Sequence, residues 1–183
     1  MTAPDTDFDP DDNFEHAFGR PAQIDEEDAL ETLVWQFMLL VNPGDEDAAM
    51  QQFAAWQETS GAAESDDELA AGLLDATDWK SGFRVDESDP AAAIDVLGEL
   101  AARWDLRIDW GVEDPGDDEF LADAEVPSLI GTAFDRLREH HYTLWTWEPE
   151  TGVHAGWFTH SRDDDAMRML VPALGLPLRP GAA

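Results

Sequence analysis

The sequence predicts an α+β domain, in which N-terminal helices pack with a mixed sheet of four to five strands and with further helices. Three observations predict this fold class. Apolar residues recur at helical spacing in the first third of the chain, and the spacing changes to strict alternation after residue 79. Strand-like and helix-like segments then alternate to the end of the 183-residue chain. A chain of this length corresponds to about one domain.

The chain begins with an acidic leader. Residues 1–24 contain six acidic residues, three prolines and few aliphatic residues, which predicts a mobile segment. The helical spacing begins at residue 25. We therefore expect residues 25–180 to form a single α+β domain.

Three helices are predicted in the first 80 residues. Acidic residues 26–28 suit a helix N-terminus, and the sequence NPG at residues 42–44 ends that helix. A second helix is expected from about Asp45. The sequence SDDE at residues 65–68 is a capping box, which opens a third short helix through Leu74.

The middle of the chain predicts a parallel crossover. A short strand is expected around Phe83 and Val85, and a helix that begins at Asp89 with Pro90 follows it. Residues 106–112 alternate between apolar and polar side chains, which predicts the clearest strand of the chain. A strand, a helix and a strand within about 30 residues are typical of a right-handed parallel βαβ unit.

The C-terminal region predicts a helix, a hairpin, a helix and an edge strand. The first helix opens at Pro127, and residues 142–147 and 153–158 form the hairpin. Ser161 caps the last helix, and residues 176–178 form the edge strand. A ferredoxin-like arrangement of this region is a subsidiary prediction.

The hairpin determines which face carries the tryptophans. In the predicted register of the hairpin, Trp147 pairs with His154 across the two strands, and Leu144 pairs with Trp157. Leu144 and Trp157 would then face one side, and Trp145 and Trp147 the other. We expect the N-terminal helices to cover that second side. The alternative is an exposed groove for a ligand or partner.

The charge excludes two classes of partner. Lys and Arg number 10 and Asp and Glu 42, which gives a net charge of -32. Such a chain repels phosphates, so we expect no nucleic-acid partner and no docking on anionic membranes. With 8 Trp and 9 Phe, the chain is still expected to bury a core. Residues 21–79 hold 15 acidic residues and no Lys or Arg, and residues 1–79 together hold 21 acidic residues and one Arg. A basic partner is therefore expected to bind within residues 1–79.

The sequence contains few features that indicate a cellular compartment. The chain has no cysteine, so it forms neither disulfides nor Cys-ligated metal sites. The first residues lack the basic and apolar regions of a secretory signal. The longest apolar stretch, residues 33–41, is too short to cross a bilayer core of roughly 30 Å. We predict a cytoplasmic protein.

The sequence contains no complete motif for metal binding or catalysis. An EF-hand loop starting at Asp5 or Asp114 lacks required ligands, and the sequence contains no HExxH, nucleophile elbow or phosphate loop. The acids at residues 163–165 fit the first turn of a helix better than a metal site. We predict no cofactor, no metal and no catalytic residue, while a weak cation site in residues 114–119 stays open.

Eight residues are candidates for a ligand or partner surface. They combine strand tryptophans, one histidine and an acidic loop: Trp110, Trp145, Trp147, His154, Asp114, Asp117, Asp118 and Glu119. The sequence is compatible with two functions. The first is a non-enzymatic interaction protein, of inhibitor, immunity or regulatory type, that binds a basic partner. The second is a small-ligand-binding protein or an enzyme with a Trp- and His-lined pocket on the sheet. A third account makes the acidity an adaptation to high salt. We favour the first, and the sequence predicts no particular oligomeric state.

Five segments carry a resemblance to a known family. They are DWKSGF at residues 78–83, IDWG at 108–111, DDEFL at 117–121, YTLWTW at 142–147 and AGW at 155–157. With these segments, residues 30–180 resemble the bacterial DUF6630 family of domains of unknown function. The resemblance implies a compact bacterial α+β domain, and it implies no activity, cofactor or catalytic residue.

Overall fold

The chain folds into helices on both faces of one sheet, in a computed structural model that describes residues 26–60 and 65–181. Seven helices lie within these residues: α1 (Glu26–Leu40), α2 (Glu46–Ser60), α3 (Asp66–Ser81), α4 (Pro90–Ala102), α5 (Asp118–Asp123), α6 (Val126–Glu139) and α7 (Asp164–Ala173). Four strands lie within them: β1 (Gly82–Asp86), β2 (Tyr142–Glu150), β3 (Val153–His160) and β4 (Arg179–Pro180). The α+β class is confirmed, while the predicted leader, residues 1–24, lies outside the described residues.

The termini of the elements follow local signals. The Oγ of Ser65 accepts a hydrogen bond from the Glu68 amide at 3.2 Å, as the capping box predicts. The third helix is longer than predicted, because it continues past Leu74 to Ser81 with a kink at Asp78. Before α7 the chain makes one turn of 3-10 helix, Ser161–Asp163.

All strand pairs are antiparallel, in the order β1-β3-β2-β4. The predicted mixed sheet and parallel βαβ unit are therefore wrong, because residues 106–112 form no strand. Leu106, Ile108 and Trp110 are still partly buried in alternation, since they pack against the apolar cluster of α4 and α6. Packing on a helical layer thus explains the alternation without a strand partner.

The position of β1 also excludes the ferredoxin-like arrangement. That arrangement places the first strand inside the sheet, whereas β1 here is an edge strand and the β2-β3 hairpin is central. The other edge, β4, lies slightly later than the predicted residues 176–178.

The hairpin register differs from the prediction by one residue. Trp145 pairs with Trp157 and Leu144 pairs with Phe158, because β2 contains a bulge between residues 147 and 150. A shift of one residue moves every side chain to the opposite face. Trp157 therefore lies on the same face as Trp145, and the predicted pairing of Leu144 with Trp157 is wrong.

Each face of the sheet is covered by its own helices. Trp145, Trp147 and Trp157 are buried in one apolar cluster with residues of α1, α2, α3 and α7. Leu144 and Phe158 belong to a second cluster with residues of α4 and α6. The expectation that the N-terminal helices cover Trp145 and Trp147 is confirmed. None of the described helices is long and apolar enough to span a membrane.

A buried polar network joins the first four helices. The network consists of Asn42, Gln52, Ser81 and Arg103. Asn42 Nδ2 donates to Gln52 Oε1 at 2.6 Å, and Ser81 Oγ donates to Asn42 Oδ1 at 2.5 Å. Gln52 Nε2 donates to Ser81 Oγ at 2.8 Å, and Arg103 donates to Ser81 and Asn42 at 2.6 and 3.0 Å. The network fixes the C-terminal ends of α1, α3 and α4 against α2.

Candidate functional site

An open cleft of about 740 Å³ lies between the irregular segment after α4 and the first turns of α6. Its apolar lining residues are Trp110, Val112, Phe120, Ala124 and Leu129. The carboxylates that line it are Asp114, Asp117, Glu119, Asp123 and Glu125. We call this site the acidic cleft. It combines an aromatic floor with a rim of negative charge.

The carboxylates of the loop build its turns. Asp114 Oδ1 accepts a hydrogen bond from the Gly116 amide at 3.0 Å, and Asp117 Oδ1 accepts one from the Glu119 amide at 2.9 Å. Asp117 is thereby the N-cap of α5. Each bond uses one oxygen of its carboxylate, so the second oxygen can accept a hydrogen bond from a ligand.

The apolar floor is only partly covered. Trp110 and Phe120 are half-buried against the cluster of α4 and α6. Val112 is 40% exposed, and it is one of three large hydrophobic residues exposed within the described stretches of the chain. An aromatic surface beside exposed carboxylates is suited to a cation that carries an apolar stem.

No cation among the described residues forms an ion pair with the rim of the cleft. In residues 26–60 and 65–181, no Lys, Arg or His lies within ion-pair distance of the five cleft carboxylates. Arg107, the closest arginine in chain order, forms none of these ion pairs, and Arg136 pairs with Glu139 at 2.9 Å and donates to the Asp109 carbonyl. Within the described residues, the five cleft carboxylates therefore have no cationic partner.

The structure brings together half of the residues predicted from the sequence. Trp110, Asp114, Asp117 and Glu119 all line the acidic cleft. Asp118 is exposed at the start of α5, beside the cleft but outside its lining.

The other candidates lie elsewhere. Trp145 and Trp147 are buried in the core on the other face of the sheet. Trp147 pairs with Ala155 and not with His154, so the predicted contact between Trp147 and His154 is wrong. His154 is half-buried opposite Val85 of β1, and its buried Nε2 has no hydrogen-bond partner among the described residues. Trp110 packs against the other apolar cluster, so it does not share a pocket with Trp145 and Trp147.

No metal site is formed in the described stretches of the chain, where no group of three or more His, Asp or Glu residues is arranged to hold an ion. The weak cation site left open for residues 114–119 is therefore not supported. Asp164 instead accepts hydrogen bonds from Thr143 and Arg138, both at 2.6 Å, in the first turn of α7. The helix interpretation of residues 163–165 is confirmed. The rejected EF-hand loop at Asp5 lies outside the described residues.

The sequence interpretation missed the far wall of the cleft. The sequence predicts a loop at residues 113–119, but α5 begins inside them and brings Phe120 and Asp123 to the site. Glu125 and Ser128 come from the start of α6. The available signal was the N-cap Asp117 followed by two acids, which is the pattern of a short helix.

A histidine at the end of β3 gives a pH-dependent prediction. Burial lowers the pKa of the His160 imidazole below its usual 6.5, and the charge of Arg162 lowers it further. We expect His160 to titrate below pH 6.5 and Arg162→Gln to raise its pKa in part, since the burial remains. Because the unfolded chain then binds the proton more readily, His160 stabilises the fold fully above pH 6.5. That contribution is lost as the pH falls through the folded pKa.

An NMR titration of the imidazole resonances checks this prediction. Arg168→Gln is the control, because Arg168 is also exposed but is not among the charges that act on His160. A His160 pKa at or above 6.5, or an equal shift in both variants, would contradict the placement of His160.

Comparison with known proteins identifies the family. A family model described as "Domain of unknown function (DUF6630)" matches residues 33–181, a range that contains the sheet and the whole acidic cleft. No curated protein and no solved structure matches the chain. The match agrees with the resemblance of residues 30–180. The chain belongs to the DUF6630 family.

Proposed function

We propose that this chain is a non-enzymatic interaction protein, of inhibitor, immunity or regulatory type, whose acidic cleft binds Lys or Arg side chains of a basic partner protein. One observation carries the proposal. Within the described residues, five carboxylates without a cationic partner surround a half-exposed tryptophan in one cleft.

Elementary chemistry favours an arginine in such a cleft. A guanidinium stacks on an indole ring and donates to carboxylates in its own plane, so Trp110 together with Asp114 or Asp117 suits it. The net charge of -32 adds to this local effect, because a strongly negative protein attracts a basic partner over long distances. Such association weakens with salt, since the charges are exposed.

The compartment and origin belong to the same proposal. We place the protein in the bacterial cytoplasm. The absence of cysteine is compatible with a reducing compartment, and the bacterial origin follows the family resemblance.

Isothermal titration with a hexa-arginine peptide at about 50 mM NaCl, where screening is weak, tests the cleft. We expect the triple variant Asp114→Asn, Asp117→Asn, Glu119→Gln to bind about tenfold more weakly, because it loses three exposed ion pairs worth about 0.5 kcal/mol each. The asparagines keep an oxygen for the turn hydrogen bonds, so the loop is retained.

A matched variant controls for total charge. Glu27→Gln, Glu58→Gln, Asp95→Asn removes three exposed carboxylates outside the cleft lining, and we expect the affinity to stay within about twofold. An equal loss of affinity in both triple variants would mean that the peptide binds through the overall charge of the protein alone. No binding of hexa-arginine to the wild-type protein would refute the proposal.

The second function from the sequence is a small-ligand-binding protein or an enzyme. It requires a Trp- and His-lined pocket on the sheet. Trp145 and Trp147 are buried beneath helices, so no contact in the described residues favours it over the first function.

A further inference from the structure

The two edges of the sheet differ in how they are protected. Edge strands expose unpaired backbone groups, and proteins often shorten such strands or place proline in them. β4 has two residues, one of them Pro180. β1 has five residues, Gly82–Asp86, with neither proline nor lysine. β1 is therefore the open edge.

The pattern of hydrogen bonds between β1 and β3 shows which backbone groups of β1 point away from the sheet. The Glu87 amide donates to the Gly152 carbonyl at 2.7 Å, beside the Asp86 and Val153 pair. The ladder has no bulge, so alternate residues face β3 and the backbone of Arg84 faces away from it.

Four backbone groups along this edge have no partner within the described residues. They are the carbonyl of Gly82, the amide and carbonyl of Arg84, and the amide of Asp86. The other outward groups are satisfied, because the Gly82 amide donates to Asp78 and the Asp86 carbonyl accepts from Asp89. The spacing of the four free groups is that of a ladder with one more strand.

A groove of about 500 Å³ runs along this edge between α3 and α4. Its apolar lining consists of the half-buried Val96 and of Leu74 and Phe83, which are only 8% and 4% exposed. Asp75 and Glu99 are exposed carboxylates on the two helices that border it. The groove thus offers an apolar contact at Val96 for one face of an added strand, and negative charge on both sides.

The negative charge of the groove favours a basic segment as its ligand. Asp78 adds a third carboxylate to the lining, and the single cation among the described lining residues, Arg84, already pairs with Glu150 at 2.9 Å. A second copy of this chain would bring the same carboxylates to the edge. The chain's own residues 1–24, with six acids and one Arg, would also be repelled.

We propose that an extended segment of a partner protein, with alternating basic and apolar residues, adds as a strand to the outer edge of β1. Its backbone pairs with Gly82, Arg84 and Asp86, and its basic side chains lie beside Asp75, Asp78 and Glu99. The inference rests on the proposed function only for the positive charge of the partner, since the open edge is an independent observation.

Two variants at one position test the pairing. Arg84→Pro removes the outward amide, which an edge strand tolerates, whereas Arg84→Ala keeps it. The probe is the acetylated, amidated peptide RVRVRVR, measured by isothermal titration. We expect the alanine variant to bind it within about threefold of wild type and the proline variant at least about tenfold more weakly. A peptide in which every backbone nitrogen is methylated has no N–H to donate to the carbonyls of β1, and it is expected not to bind.

Amide hydrogen exchange of the wild-type protein gives a readout that needs no variant. With the peptide bound, we expect the amides of Arg84 and Asp86 to exchange at least about tenfold more slowly. Equal binding by the two variants, or no protection of these amides, would overturn the proposal. Self-association of the free protein that Arg84→Pro abolishes would also overturn it, since the occupant would then be a second copy.

These experiments distinguish a failure of the cleft assignment from a failure of the edge assignment. If hexa-arginine binding does not depend on the cleft carboxylates but the amides of Arg84 and Asp86 become protected, the cleft assignment is wrong and the edge assignment holds. If the amides stay unprotected while the cleft variant loses hexa-arginine, the edge assignment alone is wrong.

Discussion

Replacing Trp157 by alanine is expected to lower the free energy of unfolding by about 3–5 kcal/mol. Trp157 is fully buried, stacks on Trp147 with ring centroids 4.8 Å apart and meets Phe37 edge-on at 5.0 Å. Its Nε1 donates to Thr77 Oγ1 at 2.9 Å. The alanine variant loses these contacts and leaves a cavity between the sheet and the N-terminal helices.

Urea denaturation measures this change. Thr77→Val serves as the control, because it removes the hydrogen bond and leaves the indole N–H of Trp157 unsatisfied, at a cost of about 1–3 kcal/mol. A loss below about 1 kcal/mol for Trp157→Ala would mean that this side chain is not in the core, and would contradict the register of β3.

Replacing Asn42 by leucine is expected to lower the free energy of unfolding by about 2–4 kcal/mol. Leucine is similar in size but leaves Gln52 Oε1 without its donor and Ser81 Oγ without its acceptor. Arg103 loses one of its acceptors as well. A buried network with one member removed costs more than the missing bonds alone, because the remaining polar atoms stay desolvated.

The same denaturation experiment offers a matched substitution. Gln51→Leu also places leucine on a polar position, but Gln51 is exposed on α2, so we expect a change within about 0.5 kcal/mol. Asn42→Asp keeps an oxygen for Ser81 and Arg103 and is expected to fall between the two. Equal stability of Asn42→Leu and Gln51→Leu would show that the network adds no stability.

Local signals account for the elements of the fold that the sequence predicts well. The capping box at Ser65 and the NPG stop after α1 depend on residues within one turn of each other. The β2-β3 hairpin is local too, and its existence is predictable. Its register is not, because an inserted residue near Pro149 shifts the pairing and no short-range signal marks that bulge.

Residues 106–112 show the limit of periodicity. Alternation of apolar side chains requires only that one side of an extended segment be covered, and a helical layer covers it as well as a sheet does. Whether Trp110 lies in a strand or on α4 and α6 therefore depends on contacts distant in sequence.

The sequence by itself determined the α+β class, the acidity and the proximity of Trp110 to the carboxylates of residues 114–119. Neighbours in the chain stay neighbours in space, so half of the candidate site could be predicted. Only the tertiary structure decided that Trp145 and Trp147 are core residues and that α5 and α6 close the acidic cleft. It also decided that β1 is an open edge, because the order of strands depends on long-range packing and not on local spacing.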